Sequence, residues 1–276
     1  MGTVTDLKST LVYKKIEKEI EVFVAEKLDG YKPSDVGKKI IHDSVWGTVE
    51  YSEWEMQLID SPLLQRLRDI NQVGLALFTY SSARHSRFEH SLGVVAATKR
   101  MCERICSNSN GFEMNNDEKN LVYLAALLHD VGHCFFSHLS ERIYGEFDDF
   151  LALRDEFLSK LSRKPKPHEM LSFIIINTKT FGNFFFNDIN YPNKNDHRAE
   201  LFHDVGRMIV GADIETSDRN NRYLTDIING PFDADKLDYI KRDSLTAGLS
   251  LWIVFKRSYP RQRQCKFISN RQFCSA

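Results

Sequence analysis

Long apolar runs are missing from this 276-residue chain, which excludes a helical membrane span of the usual ~20 apolar residues. The opening stretch MGTVTDLKSTLVYKK lacks the apolar core of a secretory leader, and Asp6 stands where a myristoylation signal wants Ser or Thr. Cysteine is sparse: five in all, an odd number with no CxxC pair. That argues against a disulfide scaffold or a clustered-thiolate zinc site and predicts reduced thiols and a cytoplasmic protein. Cys102 and Cys106 share a helix face and read as small buried residues. Net charge is nearly absent too, at −1, so no broad electrostatic pull toward nucleic acid or membrane is expected. A local basic groove is the one route to nucleic acid left open. No low-complexity tract or sharp composition break marks a domain boundary.

What is present is helical periodicity over a chain long enough to bury a substantial core. Leu11, Ile16, Ile20, Phe23, Val24 and Leu28 draw one apolar face, and Gly30 and Pro33 end that helix. Around Gly47, β-favouring residues on both sides predict a short β-hairpin near residues 40–52. Ser61 and Pro62 then supply an N-cap and a first helical position. Helices follow over 90–106, from a cap at Asn116 or Asp117 to a close at Gly132, and over 140–161, 166–179, 199–212 and 234–248. The aromatic run FGNFFFNDINYPN reads as loop or short strand. The fold class is mostly α.

Against this background LLHDVGHCFFSH, residues 127–138, is unusual. His129, Asp130, His133 and His138 sit among Leu127, Leu128, Val131, Phe135 and Phe136, a mixture suited neither to a plain core nor to a solvated face. A helix ending in His129-Asp130 offers an imidazole nitrogen beside a carboxylate oxygen, a good start for a divalent metal. The best further ligands are His90, in ARHSRFEHSLGVV, and Asp235, in GPFDADKLDYIKRD. A lone His-Asp pair is more often a surface dipeptide than a ligand pair, and the chain carries its own control. FHDVGR at 202–207 nearly repeats LHDVGH at 128–133, yet has Arg207 for His133 and no histidine cluster after it, so His203-Asp204 reads as structural.

The ordered motifs HSRFEHSLGV, LLHDVGHCFFSH, KPHEML and DADKLDYIKRD, spread over roughly residues 40–250, resemble the HD-domain deoxynucleoside triphosphate triphosphohydrolases. The resemblance implies an all-α HD fold and one divalent metal ion, with Mn, Fe, Mg, Co, Ni and Zn not distinguished. The implied reaction cleaves a deoxynucleoside triphosphate to deoxynucleoside and triphosphate. By the same carry-over His90, His129, Asp130 and Asp235 are the metal ligands, and His133, His138 and His168 the active-site histidines. Glu141 stands where the family often has an aspartate partnering His138. Arg87 and Lys236 suit phosphate contacts, and Gln72, Tyr239 and Asp243 suit the sugar. The chemistry agrees: a triphosphate wants cations beside a metal, and a histidine of pKa ~6.5 can protonate a departing alkoxide.

Two alternatives stay open. One is an HD phosphohydrolase for another nucleotide or phosphodiester, opposed by the FSH and DKLDY contexts and by the lack of a Gly-Tyr-Pro signature. The other is a catalytically weak regulatory or nucleic-acid-binding protein, opposed by the retention of His133, His138 and His168. The expected organisation is an N-terminal helical extension over 1–35, with too few residues for a further domain before the match, and a phosphohydrolase domain over 36–249. A basic tail occupies 250–276. From Ser244 onward there is no acidic residue; a solvated tail and a truncated or frame-shifted end fit this equally. Expected partners are a nucleoside triphosphate and further copies in a homo-oligomer, with no membrane.

Overall fold

Two stretches that are apolar nearly all round decide where the core lies. Leu124 to Leu128 and Met170 to Ile176 are buried without an exposed face, and helices of that kind belong at the centre of a bundle. In the computed structural model the structure describes residues 4–35, 37–108, 113–193, 200–214 and 221–249, with the backbone of 251–254 and 266–269. Helices α1 (Val4–Ser9) and α2 (Leu11–Leu28) lead into a hairpin, β1 (Lys39–Asp43) and β2 (Gly47–Tyr51). Then come α3 (Glu53–Ile59), α4 (Pro62–Gln65), α5 (Arg87–Asn108), α6 (Asn116–Leu128), α7 (His138–Tyr144), α8 (Asp148–Leu161) and α9 (Pro167–Asn177). The last helices described are α10 (Lys179–Asp188), α11 (Leu201–Ile209), α12 (Arg222–Asn229) and α13 (Ala234–Thr246). This is a mostly helical fold with a small antiparallel hairpin, and no described helix is long and apolar enough to cross a membrane.

Helix α5 runs between α6 and α13, while α11 fills the angle between α6, α9 and α12. The N-terminal helices dock onto this bundle: Val4, Leu7, Tyr13 and Ile16 join Leu153, Phe157, Phe173 and Ile174 in a second apolar cluster. Hairpin pairing runs antiparallel with Ile41 opposite Val49. Asp43 shapes its turn, accepting from the Val45 and Trp46 amides at 2.7 and 2.8 Å.

Several local expectations are corrected. The cap of α6 is Asn115, whose side chain accepts from the Glu118 amide while Glu118 reaches back to the Asn115 amide, so the true start lies one residue earlier. FGNFFFND is helix α10, capped by Thr178. Phe181, Phe184 and Phe185 are spaced for one helical face and are buried; that period outweighs the strand preference of aromatics. The 140–161 segment breaks at Gly145–Phe147 into α7 and α8. Within the 250–276 tail, Leu251–Val254 pairs antiparallel with Lys266–Ser269; the rest of the tail lies outside the described residues.

Gly132 does not close α6, which already ends at Leu128. It is glycine because α9 passes against it: a Cβ there would meet His168 O at 2.3 Å and Ser172 N at 2.4 Å. Backbone atoms cannot turn aside, so Gly132→Ala should destabilise by about 1–3 kcal/mol, lowering Tm by several degrees. Gly182→Ala, in α10 where a Cβ meets nothing, should hold or raise Tm. Calorimetry of the two variants side by side checks the contrast, and equal shifts would show that α9 can give way.

Candidate active site

Helix ends build this site. Leu128 is the last residue of α6, which leaves His129 at the C-cap and Asp130 one step beyond. His90 lies in the first turn of α5 and Asp235 in the first turn of α13. The four side chains meet. His90 Nε2 is 3.0 Å from Asp235 Oδ1 and 3.6 Å from Asp130 Oδ2. His129 Nε2 is 3.4 Å from Asp130 Oδ1 and 4.0 Å from Asp235 Oδ1. His90 Nδ1 faces Asp238 Oδ2 at 2.7 Å and His129 Nδ1 faces Ala126 O at 2.8 Å, which fixes each ring and turns its Nε2 inward. Both Nε2 atoms are buried without a well-aligned hydrogen bond. His90, His129 and Asp235 bring ligand atoms close enough together to hold a divalent cation, and Asp130 lies beside them.

The electrostatics agree. Burial opposes a proton on His90, but Asp235 and Asp238 overcome it and push the ring up to about 10. Burial likewise opposes ionisation of Asp130, yet His129, Arg87 and His133 hold it well below the usual carboxylate range. Asp235 is lowered as well, against its burial, by His90 and His129. This centre demands positive charge.

Beside it stands a second cluster around Glu141 on α7. Glu141 Oε1 lies 3.0 Å from His133 Nδ1 and 2.8 Å from His168 Nδ1, and Oε2 lies 3.2 Å from His138 Nδ1. Burial would raise the Glu141 carboxyl, but these three imidazoles hold it well below its ordinary value. His133 is fully buried and stacks on His168 at 4.0 Å between ring centres. Burial first, then the charge of His168, bring it down to about 4, so it is neutral at neutral pH. His138 is the open member, its side chain 57% exposed, with Nε2 3.0 Å from Arg87 Nη2.

Both clusters border one cavity of about 610 Å³, lined in part by Gln72, Arg87, Asp130, His138, His168, Asp235, Tyr239 and Asp243. Arg87 is anchored there, 2.7 Å from Asp130 Oδ2 and 3.1 Å from Ser137 Oγ. Not every expected residue arrives. His133 sits behind His168, outside the lining. The Lys236 ammonium is tied to Gly230 O at 2.8 Å and to Asp233, the α13 cap, so it does not line the cavity. In its place stand Arg142 and Lys166, which the motif reading missed: Arg142 is one helical turn past His138, and Lys166 two residues before His168. Ser172 was missed as well; its hydroxyl accepts from the Gly132 amide and donates to His129 O.

The second His-Asp pair goes elsewhere. His203 and Asp204 lie inside α11 instead of past a helix end, and neither lines the cavity.

Comparison with known proteins fits this geometry. Residues 87–182 match the HD domain family. The SAMHD1 homolog of Dictyostelium discoideum, a deoxynucleoside triphosphate triphosphohydrolase, is 30% identical over 224 residues, 79% of this chain and 38% of that protein. A crystal structure of a hypothetical protein from Aquifex aeolicus is 33% identical with a TM-score of 0.55, covering 77% of this chain and 47% of its own. A phosphohydrolase structure from Bacteroides thetaiotaomicron is 28% identical with a TM-score of 0.53, covering 76% and 42%. The chain thus spans less than half the length of each of these relatives.

One buried network holds His90 from behind. Asp238 accepts from Trp46 Nε1 at 2.5 Å and from Arg242 at 2.8 Å, and Arg242 also reaches Asp43 at 2.8 Å. Arg242→Met should cost about 3–5 kcal/mol, because it strands buried carboxylates without their cation. A lower urea midpoint at unchanged m-value would register this; a loss under about 1 kcal/mol would mean that water reaches the pair.

Proposed function

We propose that this chain, which matches the HD domain family over residues 87–182 and is similar to a phosphohydrolase and to a deoxynucleoside triphosphate triphosphohydrolase, hydrolyses deoxynucleoside triphosphates at the α-phosphorus to deoxynucleoside and triphosphate. One divalent metal is held by His90, His129, Asp130 and Asp235. The observation that carries this reading is the convergence of two inward, unpartnered Nε2 atoms with two ionised carboxylates, next to a histidine–glutamate cluster on the same cavity. When bound, the ion polarises a phosphoryl oxygen and lowers the pKa of water.

The chain's own groups do the rest. Glu141 holds Nδ1 of His138 and offsets positive charge on that ring. Nε2 of His138 faces the cavity and delivers its proton to the departing 5′-oxygen. Arg87, now 3.0 Å from that nitrogen, passes its donors to the α-phosphate when substrate enters. His168 borders the same phosphates, and the neutral His133 packs beneath it and keeps its ring in place. Gln72, Tyr239 and Asp243 line the sugar side, where His85 steadies Asp243 at 2.7 Å.

The assay is release of triphosphate, as opposed to orthophosphate or pyrophosphate, from each of the four dNTPs, with cyclic dinucleotides and guanosine polyphosphates as controls. Turnover of a control substrate alone would replace this reading. Asp235→Ala should lose bound metal in elemental analysis with far-UV helicity nearly intact, whereas His203→Ala should keep its metal. His138→Ala should keep its metal and lose on the order of 10²–10⁴-fold in kcat, the usual cost of a missing proton donor. A change confined to KM would remove His138 from the chemical step.

A further inference from the structure

Four cations were candidates to meet a phosphate tail, and the structure divides them sharply. Arg87, bound to Asp130, Ser137 and His138, is taken up by the α-phosphate in the reading above and does not reach further along the tail. Lys236 is turned into the cap of its own helix. Lys166 and Arg142 remain. Lys166 caps α9, its side chain 60% exposed, and its nearest carboxylate is Glu169 at 4.0 Å. Arg142 makes no side-chain hydrogen bond or ion pair among the described residues. Both line the cavity, one beside His168 and the other a turn beyond His138.

We propose that Lys166 and Arg142 form the anion clamp of this cavity, gripping the terminal phosphates of a nucleoside triphosphate. The proposal rests on the function given above and assigns to these two residues the role that the motif reading gave to Lys236. Charge balance requires something of the kind. Asp130 and Asp235 offset a dication, so these groups leave only the single charge of Arg87 against the several negative charges of a triphosphate. An unpaired guanidinium and an ammonium held only loosely by Glu169, both on the cavity wall, supply it. Desolvation would weaken the Lys166 charge, but Glu169, Asp235, Asp130 and Glu141 raise its pKa, so it stays cationic. Such a pair gives up at most the loose Lys166–Glu169 contact when the anion arrives, whereas Lys236 would have to leave both Gly230 O and Asp233.

Binding of inorganic tripolyphosphate to the metal-loaded full chain tests this by titration calorimetry at two salt concentrations. Lys166→Ala and Arg142→Ala should each weaken binding about five- to ten-fold and flatten its salt dependence, and Lys166→Arg should restore most of the loss. Lys236→Ala should stay within about two-fold of wild type. Wild type that does not bind tripolyphosphate, single variants that bind as wild type does, or a loss carried by Lys236→Ala would each overturn the clamp. Parallel dNTP assays separate this from the reaction itself. Turnover with unchanged KM in Lys166→Ala removes the clamp and leaves the function standing, whereas clamp-dependent tripolyphosphate binding without any dNTP turnover removes the reaction and keeps the clamp.

Discussion

Asp238 is the constraint on which the rest of the site depends. It is fully buried, where an unpaired carboxylate would cost several kcal/mol, so every neighbour has to be a donor in the right place. Trp46 comes from the hairpin, His90 from α5 and Arg242 from one turn further along α13. Three separate parts of the chain are thereby brought to one point. The approach is close enough that Gly93 on α5 cannot bear a side chain: a Cβ would lie 2.0 Å from Asp238 Oδ1 and 2.2 Å from Arg242 Nη2. The hairpin, peripheral by its size, reaches the site through this carboxylate, because its turn residue Asp43 shares Arg242 with Asp238.

Where a helix stops matters as much as which residues it carries. LHDVGH and FHDVGR are nearly the same letters, yet only the first yields a cluster. In α6 the helix ends just before His129, freeing Asp130 and His133 to turn inward, and Gly132 and Ser172 let α9 close over that turn. In α11 the helix runs straight through His203 and Asp204. The backbone after His133 carries further cost. Phe136 and Ser137 both have positive φ, 62° and 51°, worth on the order of 1–3 kcal/mol each for non-glycine residues. Ser137 holds its strained geometry by accepting from Arg87 and donating to Gln72 O, and the strain sets His138 at the cavity wall.

The mostly helical class, the hairpin and the main helices were legible because apolar spacing and caps are local signals. The meeting of His90, His129, Asp130 and Asp235 was legible only through the order of four separated motifs, since no local pattern says that helix termini 39 to 145 residues apart will converge. Other features were not legible. The FGNFFFND run has the composition of a strand and the spacing of a helix, and burial decided for the spacing. Lys236 has the type and neighbourhood of a phosphate ligand, but its side chain prefers the nearer cap residue Asp233, three positions back on its own helix. Lysine is long and freely rotating, so sequence position constrains its head group poorly. Arg142 and Lys166 were invisible for the same reason.

The histidines illustrate how exposure differentiates identical side chains that share one carboxylate. Glu141 touches Nδ1 of all three, so contact with it cannot explain their difference. Exposure does. His133 and His168 are enclosed, and burial lowers the pKa of both, keeping the rings neutral as packing and hydrogen-bonding walls. His138 stands at the mouth of the cavity, its side chain more than half exposed. The enclosed pair holds Glu141 through both Nδ1 atoms, so the one open ring leans on a carboxylate already fixed from within. For the reaction proposed above, a proton donor has to be reachable by the leaving group and open to recharging, and of the three rings His138 is the one placed for both.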